Sequence, residues 1–174
     1  MHQITYRHGI PADDWAIAEH FYQLWLDNTV LPEAIRPDWQ AEILAFITQA
    51  RQALAYQSFI AEVEGEIVGS VGCQIFAGLY PIPFQPHYRQ DGYIWGVYVA
   101  PAYRKQGIGA TLTQKSVDYL RAIGCTRAVL NASPFGKSAY ERLGFQPHNA
   151  MVLDFRDQGS QTEGGNIRDY NGAR

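Results

Sequence analysis

Arg104-Lys105-Gln106-Gly107-Ile108-Gly109-Ala110 carries the clearest chemical signal in the chain. Two cations, then two glycines two positions apart, lead into a run with apolar residues at helical spacing. The first turn of a helix presents unpartnered backbone N–H groups and the positive end of its dipole, so it suits a phosphate. Gly107 and Gly109 lack a Cβ, which lets an anion come close to the backbone. Arg104 and Lys105 add charge where a polyphosphate needs it. Upstream, Val97-Tyr98-Val99 reads as a strand and Ala100-Pro101 as a broken turn. The stretch reads as a pyrophosphate cradle expected at the end of a strand.

Two other glycine-based phosphate sites do not fit. A dinucleotide fingerprint needs Gly-x-Gly-x-x-Gly, and Leu112 stands where the third glycine belongs. A nucleotide P-loop is approached by Asn131-Ala-Ser-Pro-Phe-Gly136-Lys137-Ser138, but Asn131 replaces the first glycine and little chain follows for further βα units.

The elements around the cradle can be read from periodicity. Ile4-Thr5-Tyr6-Arg7 is a strand, and Asp13 or Asp14 caps a helix with apolar residues at Ile17, Phe21, Leu24 and Trp25, running to Asp27. A second helix starts near Asp38, with Trp39, Ile43, Phe46, Ile47 and Leu54 along one stripe. Phe59–Val63 and Ile67–Ile75 flank Glu64-Gly65-Glu66, a hairpin signal. Phe76 to Gly92 is irregular, with three prolines among aromatics, as a lid or mobile loop would be. Tyr93–Val99 enters the cradle, and the helix after it ends at Gly124. Arg127–Asn131 is a strand parallel to Tyr93–Val99, because a helix separates them. A short helix runs from Ser133-Pro134 to Leu143-Gly144, and Phe145 to Phe155 returns as one or two strands.

Composition narrows the function classes. The chain has 174 residues, 47% of them hydrophobic, enough for one substantial core. A net charge of −3 gives no global basis for nucleic-acid or membrane-surface binding. Cys73 and Cys125 lie far apart and read as reduced core thiols of a cytoplasmic protein. No apolar signal segment or membrane-length run is present, and the five histidines lack metal-ligand spacing. From Arg156 to Arg174 the chain is polar and glycine-rich, expected to be a disordered tail.

Three segments together resemble the GCN5-related N-acetyltransferase (GNAT) superfamily. Val97-Tyr98-Val99-x-Pro-x-Tyr-Arg104-x-x-Gly107-x-Gly109 resembles its acyl-CoA pyrophosphate motif. Ser133-Pro134-x-Gly136-Lys137-Ser138-x-Tyr140-Glu141-x-Leu143-Gly144-Phe145 resembles the motif that follows, and Asn149-x-Met151-x-Leu153 a closing strand. Before about Phe59 the match is in element order alone.

The resemblance implies a single-domain α/β fold: a mixed central sheet with flanking helices and splayed central parallel strands. It implies an acetyltransferase domain over 1–155 with a tail over 156–174. The activity it implies is transfer of an acetyl group from acetyl-CoA to a primary amine in a ternary complex, without a metal. A non-catalytic acyl-CoA sensor on the same fold is the alternative. Val97, Tyr98 and Val99 would pair with the pantetheine arm, and Arg104, Lys105, Gln106, Gly107, Ile108, Gly109 and Ala110 would seat the pyrophosphate. Ser133 and Tyr140 would also touch the cofactor, Tyr140 protonating the departing thiolate. Tyr93–Val99 contains no acid, so the general base is open among Asp91, Glu62, His87 and a water chain. Trp25, Asn28, Tyr80, Phe84 and Tyr88 are expected to line the acceptor pocket. The partners are acetyl-CoA and an amine, with no nucleic acid or membrane, and a homodimer is compatible with the reading.

Overall fold

In a computed structural model, which describes residues 3–151, the chain forms two compact units, Met1–Asn131 and Ala132–Arg174. The first is built on a five-stranded sheet whose strands follow one another in chain order. Strand β1 (Ile4–His8) leads through α1 (Asp14–Asp27) and α2 (Trp39–Ala53) to β2 (Gln57–Val63) and β3 (Glu66–Ile75). Then come β4 (Asp91–Val99), α3 (Ile108–Ala122) and β5 (Arg127–Val129). The first four strands pair antiparallel, and β5 pairs parallel to β4, as the intervening helix requires. At the β2–β3 turn Glu64 and Gly65 both have positive φ (52° and 84°), the backbone of a type I′ hairpin.

Each face of the sheet is closed by helices for a reason visible in the side chains. Ile17 of α1 and Ile47 and Ala50 of α2 pack with Tyr56 and Ile60, against which Trp95 also packs. On the opposite face Ile108, Leu112 and Leu120 of α3 are fully buried, each contributing roughly 1.5–3 kcal/mol. Gly92 allows that contact, because a Cβ there would stand 2.6 Å from Leu120 Cδ2. The α3 hydroxyls of Thr113 and Ser116, buried in this layer, donate to the carbonyls of Gly109 (2.8 Å) and Leu112 (3.2 Å).

The entry to α1 differs from the expected cap. The Asp13 carboxylate accepts the Ile10 N–H (2.8 Å) instead of capping the first turn of α1. The Arg7 guanidinium draws it there, bonding Asp13 at 2.6 and 2.9 Å and Glu62 at 2.6 and 2.8 Å. Arg7 thereby holds the Asp13 carboxyl below the usual carboxylate range. One arginine thus ties β1, β2 and the start of α1.

The second unit contains α4 (Lys137–Arg142). Its start lies four residues later than expected, since Ser133 and Pro134 precede the helix. From Phe145 to Met151 the backbone is neither helix nor strand, which corrects the strand expected from Phe145. Pro147 supplies no N–H to a ladder. The remainder of that expected strand (152–155), the domain boundary at 155 and the tail lie outside the described residues.

His20 of α1 is half-buried against the sheet: its ring lies 4.6 Å from that of Tyr98, and Nδ1 stands 2.9 Å from Ser70 Oγ. Burial pushes its pKa down to about 4, against a small upward pull from Glu19. The folded chain therefore binds fewer protons than the unfolded one between pH 4 and about 6.5, and stability falls as pH drops through that window. Denaturant titrations of His20→Gln across this range are expected to show a flatter pH dependence than those of the natural chain.

Candidate active site

The cradle and the strand that feeds it are set by a defect in β4. Ser70 faces Tyr98 and Gly72 faces Trp95, so Gly96 and Val97 together stand opposite Val71. This is a β-bulge, and Gly96 takes φ 64°, a conformation that favours glycine. The bulge resets the alternation of side chains. Before it, Gly92 approaches Leu120 of α3 while Trp95 lies on the α1–α2 side; after it, Val97 and Val99 approach Gly109 of α3, and Tyr98 meets His20 of α1. Sequence reading passed over Gly96, although a lone glycine inside a strand pattern is the signal for a bulge.

The bulge coincides with the end of pairing on the other side. Strand β5 contacts β4 only at Asp91↔Arg127, Gly92↔Ala128 and Tyr93↔Val129. From Ile94 to Val99 the β4 edge has no β5 neighbour, which is the splay expected between the two parallel strands. The edge offers backbone donors and acceptors that an amide-bearing arm can pair with as an added strand.

At the end of this edge the cradle has the expected backbone form. Arg104 through Gly107 are exposed, Lys105 and Gly107 have positive φ (63° and 81°), and α3 begins at Ile108. Thr111 donates to the Gly107 carbonyl (3.0 Å), so the N–H groups of Ile108, Gly109 and Ala110 precede the first intrahelical bond of α3. Gln106 lies exposed between the two left-handed residues. Arg104 behaves differently from the expectation that its charge serves a polyphosphate: its guanidinium is paired with Asp27 and the Val99 carbonyl.

The remaining predicted residues are dispersed. In the second unit Ser133 and Tyr140 come together around Gly136: Ser133 Oγ accepts the Gly136 N–H (3.3 Å), and a Cβ at Gly136 would stand 3.0 Å from the Tyr140 ring. Tyr140 meets Phe145 edge-on at 6.0 Å, and desolvation raises its phenol above the ordinary value. Asp91 is buried with bidentate bonds from Arg127 (2.8 and 2.7 Å) and a contact from Arg89 (3.5 Å), and Arg127 holds its carboxyl below the usual range. Glu62 is committed to Arg7. These two base candidates are structural ion pairs, whereas His87 is exposed in the loop before β4.

The expected acceptor wall is likewise divided. Tyr80 and Phe84 line an open cavity of about 550 Å³ formed by Phe76–Asp91, and Tyr88 meets Phe84 at 5.3 Å. Trp25 instead joins Phe21, Trp95 and Phe46 in a chain of edge-to-face rings. Asn28 caps α1, donating from Nδ2 to the Leu24 carbonyl (2.8 Å).

Comparison with known proteins agrees with this architecture. Residues 15–145 match the acetyltransferase (GNAT) family. The chain is 31% identical over 106 residues to a glucosamine 6-phosphate N-acetyltransferase of Trypanosoma brucei brucei, covering 59% of this chain and 66% of that one. It is 30% identical over 93 residues to an N-alpha-acetyltransferase of Sulfurisphaera tokodaii, covering 51% and 55%. The matched region thus spans between about half and two thirds of these curated relatives. Its fold is similar to that of a Clostridium acetobutylicum predicted acetyltransferase solved with acetyl-CoA: TM-score 0.75 at 19% identity, over 90% of this chain and 99% of that one.

A side chain at Gly107 would point into open space, and aspartate tolerates positive φ better than most residues. Gly107→Asp therefore adds negative charge to the cradle without a clash. Calorimetry is expected to show CoA binding weakened by roughly tenfold or more; unchanged affinity would remove the cradle assignment.

Proposed function

The chain belongs to the GNAT acetyltransferase family, and on that premise we propose that it transfers the acetyl group of acetyl-CoA to a primary amine by direct attack in a ternary complex. The observation that carries the reading is the β4 edge from Ile94 to Val99, which among the described residues has no strand beside it past the β5 ladder and which leads through the cradle loop to the N–H groups at the start of α3. Val97 and Val99 pair with the pantetheine amides, and the pyrophosphate rests on the backbone from Arg104 to Ala110. A backbone N–H near Val99 polarises the thioester carbonyl and stabilises the oxyanion that forms on it.

The neutral amine attacks the thioester carbon, the tetrahedral intermediate gives its second nitrogen proton to water and collapses, the C–S bond breaks, and the thiolate takes a proton that its donor recovers from solvent. Tyr140 donates that proton, and its raised pKa keeps the phenol protonated across the neutral range. Because Glu62 and Asp91 are held by arginines, the ammonium loses its proton to His87 or to a water chain. The two relatives are named for different amines, an amino-sugar phosphate and an alpha nitrogen, so the acceptor is left at the class of primary amines.

The same ion pairs also favour a second reading, a non-catalytic acyl-CoA module. Mixing the chain with acetyl-CoA and a panel of amino sugars, peptides and small amines, and following free thiol, separates the two. Release with at least one amine is expected; binding of CoA with no release for any amine supports the module.

Tyr140→Phe is expected to lower kcat by about a hundredfold with CoA affinity nearly intact. In the natural chain kcat should show no alkaline loss from this group below about pH 10, since only the protonated phenol donates and its pKa is raised. Full activity of the phenylalanine variant would return Tyr140 to packing.

A further inference from the structure

Resting on the acyl-CoA reading above, we infer that Asp27 is a positioning residue for the diphosphate loop, acting through Arg104, whose guanidinium anchors the loop rather than binding phosphate. Arg104 Nε donates to the Val99 carbonyl at 2.8 Å, and Nη2 meets Asp27 Oδ2 at 2.5 Å. Its Cζ lies 5.8 Å over the Tyr98 ring. One planar side chain therefore grips the last two residues of β4 and the last residue of α1.

The carboxylate that receives it is itself held in place. Asp27 ends α1, and the next residue, Asn28, closes that helix with both its side-chain and main-chain N–H groups on the Leu24 carbonyl (2.8 and 3.1 Å). On the other side of the grip the backbone is unusual. Lys105 follows Arg104 directly with φ 63°, a conformation that lysine adopts only when its surroundings impose it. The Arg104 anchor supplies that constraint, and the turn it fixes sets the direction of the N–H groups that follow. Among the described residues Lys105 is in no ion pair, which leaves it as the loop's open cation while the Arg104 charge is offset by Asp27.

The sign of the effect separates positioning from charge. A carboxylate at the rim of an anion site repels a diphosphate, so by charge alone Asp27→Asn should tighten CoA binding. If Asp27 holds the loop in shape, the same substitution weakens it. Arg104→Lys preserves the charge but cannot reach two acceptors in one plane, so it should behave like Asp27→Asn.

Calorimetric titration of CoA into the natural chain, Asp27→Asn and Arg104→Lys tests this. Both variants are expected to weaken CoA binding by about fivefold. Pantetheine, which lacks the diphosphate, should bind all three equally, and melting temperatures should agree within about 3 °C because the pair is exposed. CoA binding as tight as or tighter than that of the natural chain in either variant overturns the inference, as does an equal loss for pantetheine. A natural chain that binds CoA, loses affinity in both variants and acetylates no amine leaves the inference standing and overturns the transferase reading. A natural chain that binds no CoA overturns both.

Discussion

A backbone that enters a sheet has to satisfy its N–H and C=O groups, and β4 is the strand on which this requirement bears hardest. Over Asp91–Tyr93 it is paired on both sides; from Ile94 onward β5 is no longer beside it. The Gly96 bulge falls just past that point, so the change in pairing and the change in side-chain register happen together. Everything proposed about the site follows from the second half of this strand: where an acyl arm lies, which face holds α3, and where the cradle begins.

The charged groups sort by the same geometry. Near the paired end of β4, Asp91 is fixed by Arg127 and approached by Arg89, an arrangement that locks β5 to β4. On the β1–β2 side Arg7 binds Asp13 and Glu62, and Arg51 binds Asp14 through two bonds of 2.8 Å. In each case carboxylates, the base candidates Asp91 and Glu62 among them, are spent on joining elements. At the start of α3 the N–H groups of Ile108, Gly109 and Ala110 precede the first intrahelical bond, while the Arg104 charge is paired with Asp27.

Much of this was legible beforehand, and the exceptions share a cause. The helices, the hairpin and the parallel crossover were written in period and in local punctuation: the spacing of Ile17 and Phe21, the Glu64-Gly65 turn, the intervening helix before Arg127. The backbone form of the cradle was legible because glycine and helix onset are local facts. What escaped depends on partners distant in sequence. Asp13 looked like a cap until Arg7, six residues back and itself bound to Glu62 on another strand, was seen to claim it. Arg104 read as a cation free to serve a phosphate, whereas its guanidinium is paired with Asp27, 77 residues away in sequence. Asp91 read as a base candidate until Arg127 closed on it from the next strand. The dispersal of Trp25, Asn28 and Tyr80 has the same origin, since an aromatic or amide side chain states no address.

The short β4–β5 ladder also has a thermodynamic meaning. With three residue pairs holding it, the sheet is in effect one strand short over its second half, and a molecule that pairs there completes the fold as well as occupying a site. Its binding free energy then becomes part of the stability of the chain, adding about 2.7 kcal/mol at a hundred times its dissociation constant. Were a ligand to pair along Ile94 to Val99, the resistance of this protein to unfolding would on that account be a property of its solution as much as of its sequence, rising and falling with that ligand's concentration.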